Sequence, residues 1–142
     1  MAKVLFICLM LLGNVMAFSQ QAVGSFELSA MKTQVEEFNF DGKFAHRMNG
    51  DSVNNYYLIN LSKLPSRFER VYFMNLSFGC GELINIDPDI AGRSLFFMSK
   101  KSYQESEILR QLNHLCDSTV NTSALWALEE KAEWLKSNDK YK

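Results

Sequence analysis

Proline occurs twice and glycine seven times in 142 residues. That is too few for a Pro-rich recognition segment, a long flexible linker or an array of Gly-rich turns. Histidine also occurs only twice, which leaves little for a transition-metal centre built on imidazole. Neither sign of charge dominates: 15 Lys and Arg face 16 Asp and Glu, a formal charge of -1. Such a balance lacks the electrostatic footprint of a nucleic-acid binder. What the chain does have is apolar surface, 47% hydrophobic residues and 13% aromatic ones, enough for one globular domain with its own core.

The N-terminus carries one cation at Lys3, an apolar run from Val4 to Leu12, and small residues at Ala17 and Ser19. That order predicts a secretory signal peptide over residues 1–19, cleaved after Ser19, followed by a single domain over residues 20–142. Gly13 and Asn14 interrupt the run before it reaches the ~20 residues that cross hydrocarbon, which disfavours an uncleaved anchor. No later apolar run is long enough to tether the mature chain, so no stable membrane insertion is expected after cleavage. Cys8 lies inside the apolar run, preceded by Leu5, Phe6 and Ile7, and is not placed as a lipidation site. The expected location is the periplasm or the secreted fraction. Asn60, Asn75 and Asn121 each begin a triplet that fits the N-glycosylation acceptor pattern.

Loss of the leader leaves two cysteines, Cys80 and Cys116, and an oxidising compartment would pair them in the one connectivity that two thiols allow. Closing 36 positions of chain would add about 3 to 4 kcal/mol in the chain-entropy account. Cys80 as a nucleophile is disfavoured because its glycines stand one position away on each side, whereas the nucleophile elbow needs them two away.

The expected fold class is α+β, an antiparallel sheet of about four strands packed by an N-terminal helix and two C-terminal helices. Leu28, Met31, Val35 and Phe38 recur at helical steps and predict a helix over 26–38 with Ser25 as its cap. Residues 56–61, 68–78, 83–86 and 94–98 are aromatic or branched and bounded by turn formers, so they read as strands. The short segment holding Phe44 and Met48 between Asp41-Gly42 and Asn49-Gly50 reads equally as a hairpin arm or a helical turn. Ser102 with Glu105 fits a capping box before Ile108, Leu109, Leu112, Leu115 and Cys116, and a last helix starts near Ser123 with Leu125, Leu128, Ala132 and Leu135 on one stripe. Trp126 and Trp134 lie beside that stripe.

Catalytic motifs are missing. Asp87-Pro88-Asp89 with Gly92 begins like a calcium loop but puts Ala91 and Met98 where ligands are required, so a turn is expected. His114 and Cys116 are two apart, a spacing that splits them between helix faces, so no metal site is assigned. No phosphate-cradling loop, haem attachment pair or paired-thiol motif occurs, and no cofactor is expected. His46, near Asp41 and Asp51, is the one residue placed to serve a small hydrolase as a base. The remaining candidates are binding residues. The adjacent pairs Tyr56, Tyr57 and Phe96, Phe97 must split between the faces of a sheet, one of each pair meeting a second layer or a ligand. Glu129, Glu130 and Glu133 would give a helix face suited to a basic protein. The leading expectation is therefore an exported binding module, of the immunity or inhibitor type, that occupies another protein. The rivals are the His46 hydrolase and a carrier of a small apolar ligand held between sheet and helices.

Overall fold

Residues 38–87, 90–92 and 94–141 are described by the computed structural model. The leader expected over 1–19 and residues 26–37 of the expected N-terminal helix lie outside them, as do Pro88 and Asp89 of the acidic turn. The fold that follows belongs to the unit Asn39–Lys142. It is α+β: strands β1 (Ala45–Met48), β2 (Asn54–Asn60), β3 (Ile84–Asp87) and β4 (Ser94–Lys100), with helices α1 (Arg67–Phe78), α2 (Glu105–Leu125) and α3 (Leu128–Asn138).

The sheet runs β1-β2-β4-β3, with every neighbouring pair antiparallel. β1, the arm left open by the sequence, joins β2 through a turn built on Asp51, whose carboxylate accepts from the Val53 and Asn54 amides and from the Tyr56 hydroxyl. Gly50 is required there, since a Cβ would collide with the Asn54 carbonyl oxygen. β2 and β3 both run against β4 and are joined through α1, so the crossover leaves a gap that β4 fills.

Residues 68–78, expected as a strand, form α1 instead. Ser66 accepts from the Glu69 amide while the Glu69 carboxylate accepts from the Ser66 amide, a complete capping box. Phe68, Val71, Met74 and Ser77 are buried at steps of three, with Phe73 beside them. The two-residue alternation does not sort this segment by burial, because Arg70, Tyr72 and Leu76 of its supposed core side are only half-buried.

α2 begins at Glu105 after Gln104, so Ser102 is not its cap. It then runs through the expected break near Ser123. Its two buried hydroxyls are satisfied: Thr119 Oγ1 donates to the Leu115 carbonyl at 2.8 Å, and Ser123 Oγ donates to Glu69 Oε1 at 2.8 Å. The Ser123 bond leads its hydroxyl away from the helix backbone, with which Ser otherwise competes. The last helix starts at Leu128, where Glu130 accepts the Ala127 amide. Leu125 and Leu128, expected on its packed stripe, are instead 84% and 79% exposed.

One face of the sheet gives Ala45, Tyr57, Ile59, Leu95 and Phe97 to the main core, where Val71, Phe73 and Met74 of α1 and Ile108, Leu112 and Leu115 of α2 meet them. Phe73 stands edge-on to both Phe44 and Phe97. Burying each such side chain contributes about 1.5–3 kcal/mol. Arg70 locks the crossover: its guanidinium donates to the carbonyls of Leu64 and Ile90, both at 2.8 Å, and to that of Gly92 at 3.3 Å.

Candidate functional site

The expected binding aromatics are largely interior. Tyr57 and Phe97 are directly paired on the core face, and Leu58 and Phe96 are directly paired on the other. All four are at most 2% exposed. Tyr56 is half-buried and donates to Asp51. The aromatic side chains thus build the sheet's packing, and only Tyr56 of the four candidates retains partial access to solvent.

His46 is half-buried on β1 opposite Leu58. Asp51, expected near it, directs its oxygens to the turn and to Tyr56. Burial alone would raise the Asp51 pKa, but the hydrogen bonds from Tyr56, Asn54 and Val53 outweigh it and hold the carboxyl below its ordinary value. Asn60 is buried, accepts from the Ser62 amide and donates weakly to the Lys43 carbonyl, so this acceptor-like triplet begins with a structural side chain.

Cys80 and Cys116 are free thiols, so the expected bridge is not formed in this structure. Cys116 is buried in the core, and Cys80 packs half-buried against the same cluster. The Cys80 thiol is held near Gln111 and lies 3.8 Å from the Leu76 carbonyl oxygen. Gln111 stands five residues before Cys116 on α2, an axial rise of about 7.5 Å. Burial first, and then the charge of Glu82, raises the Cys80 pKa. Burial pushes Cys116 up to about 11. A reactive thiol needs the opposite environment.

The three glutamates of α3 are exposed but not equally available. Glu130 caps its own helix, and Glu133 pairs with Lys136 at 2.6 Å, which leaves Glu129 as the carboxylate with the fewest local duties. Behind them, Phe68, Tyr72, Trp126 and Trp134 form a cluster in which all six ring pairs have centroids 5.3–6.4 Å apart. A cation caged between rings needs up to about 6 Å to each centroid, so opposed walls must stand farther apart than this. These rings fill their own space. The cation at hand, Lys131, lies outside at 5.6 Å from the Phe68 centroid.

Two solvent-facing features among the described residues bear on binding, beside singly exposed side chains such as Val53 and Phe78. The first is the corner between α2 and α3, where Leu125 and Leu128 project beside Glu129. The second is a cleft of about 370 Å³ lined by Glu82, Tyr103, Ile108 and the α2 stripe Glu107, Arg110, Gln111 and His114. Neither was legible as a site in the sequence, because the cleft joins three separate chain segments and the leucines read as core.

Among the described residues no three His, Cys, Asp or Glu side chains gather to hold a metal ion, and no helix is long and apolar enough to cross a membrane. Set against known protein families, characterised proteins and solved structures, the chain matches none.

Proposed function

We propose that this protein is an exported, non-catalytic binding module that engages another protein through the α2–α3 corner. The observation that carries this reading is the pair Leu125 and Leu128, at 84% and 79% exposure on either side of a two-residue joint. Exposed apolar side chains are ordinary when scattered, but two leucines fixed at one corner present an apolar contact on a rigid mount. Trp126 within the joint is anchored against Phe68 and Tyr72, so the corner is held before any partner arrives. Preorganisation of this kind lowers the entropic cost of association. Glu129 borders Leu128, which favours a partner with an apolar patch flanked by Lys or Arg.

The test compares the natively produced protein with a Leu125→Ser, Leu128→Ser double variant. Both sites are exposed, so the melting temperature should move little. A partner that co-purifies with the natural protein and rebinds it in purified form should lose at least about tenfold in affinity with the variant. The reading fails if no specific partner is found at native expression, or if the partner binds both forms equally. Inhibition of the partner's own enzymatic activity on binding would identify the immunity or inhibitor type.

A further inference from the structure

We propose that the cleft beside Cys80 binds an alkyl cation, a guanidinium or ammonium group on a short aliphatic stem. The cleft is independent of the α2–α3 corner: its walls are the Glu82 turn before β3, Tyr103 in the turn after β4, and the first three turns of α2. Residues 107, 110, 111 and 114 share one helix face by their spacing, so a single rigid element presents four of its polar groups. A volume of about 370 Å³ suits a small ligand or one large side chain.

The lining chooses the sign of charge. Glu82 and Glu107 face the cleft with Arg110 as the only full cation among the described lining residues, and Arg110 lies 3.8 Å from Glu107 on the same helix. That pair is largely exposed and weakly held, so Arg110 can swing aside, whereas Glu82 sits on a different segment. An anionic ligand would meet two carboxylates. A wholly apolar ligand would strip water from charged walls without replacing it. A cation with an apolar stem satisfies both parts of the site, its head at Glu82 and Glu107 and its stem against the Tyr103 ring. Tyr103 is 39% exposed, available to stack against a guanidinium or ammonium. Gln111 adds an amide that already reaches the Cys80 thiol.

The same chemistry can come from a free amine or from a basic side chain of a protein, and the probes separate them. The full natively produced chain is titrated with agmatine, with an N-acetyl-Gly-Arg-Gly amide peptide and with acetate, while backbone amide shifts are followed by NMR. Saturable shifts at Glu82, Tyr103, Gln111 and His114 are expected with both cations and none with acetate. Tighter binding of the peptide assigns the site to a basic side chain; tighter binding of agmatine assigns it to a free amine. Glu82→Gln should weaken the better probe about tenfold, Glu82→Gln with Glu107→Gln should abolish it, and Arg110→Gln should tighten it by removing the resident competitor. All of these positions lie at the surface of the cleft, and an unchanged melting temperature confirms that each variant is folded. Absence of saturable shifts with either cation overturns the proposal, as does binding that survives the double Glu→Gln change or weakens with Arg110→Gln.

Discussion

Helices α2 and α3 follow one another directly, yet they are held in different ways. α2 buries Ile108, Leu112, Leu115, Cys116, Thr119 and Ser123, whereas α3 buries no residue fully. α3 stays in place through Trp134 and Leu135, which pack half-buried on the core's margin. The segment after it is clamped where Arg67 bonds both carboxylate oxygens of Asp139 and, at 3.0 Å, the Tyr141 carbonyl. The contrast teaches that one part of the domain is integral to the hydrophobic core and the next is fastened to its side by aromatic rings and an ion pair. Segments of the second kind open at lower free energy than the whole molecule unfolds.

The strongest way to break the comparison is at the shared core. Phe73→Ala should destabilise the domain by about 3–5 kcal/mol and lower protection from hydrogen exchange in α1, α2 and the sheet together. Urea unfolding measures the loss, and a cost below about 1 kcal/mol would mean that the core closes around the gap. Trp134→Ala should cost less, about 2 kcal/mol for a half-buried ring with several aromatic neighbours. Its effect on exchange should be confined to α3 and the segment after it. Equal loss of protection in α2 would show that the two helices form one cooperative unit.

The smallest effect sharpens the contrast chemically. Burial, with a further push from Asp117, raises Cys116 from the ordinary 9.0 to about 11 in the folded protein. The folded state therefore retains a proton that the unfolded chain releases, so stability is intact below about pH 9 and falls as the pH rises towards about 11. Cys116→Ala should make that alkaline slope shallower, leaving the part that the raised Cys80 and Tyr141 contribute, as followed by melting temperature against pH. In the folded protein Cys80, half-buried, should alkylate before Cys116; the reverse order would place the α2 thiol outside the core.

Much of the sheet was legible. The clusters around Tyr57, Leu83 and Phe96 announced three of its strands through β-branched and aromatic content bounded by turn residues. α1 was misread for the same reason, since Val71, Tyr72 and Phe73 favour strands in isolation while Ser66 and Glu69 three apart supply the helix start. The capping signal was local and decisive; the propensity was overridden by packing. The end of α2 was misplaced because the bond from Ser123 to Glu69 spans 54 residues and has no local trace. Tyr57, Phe96 and Phe97 could be assigned to alternating faces but not to closed ones, since closure depends on what lies above each face. The cleft was beyond sequence reasoning, as Glu82 and Tyr103 meet α2 only after the sheet has formed.

The order β1-β2-β4-β3 places the last strand synthesised at the centre of the sheet. Without β4, this order leaves the inner edges of β2 and β3 unpaired and available to another chain. β4 pairs with both of these inner edges, leaving β1 and β3 as the edge strands of the sheet. A product that stops before Ser94 would therefore be more prone to self-association than one that stops after α2.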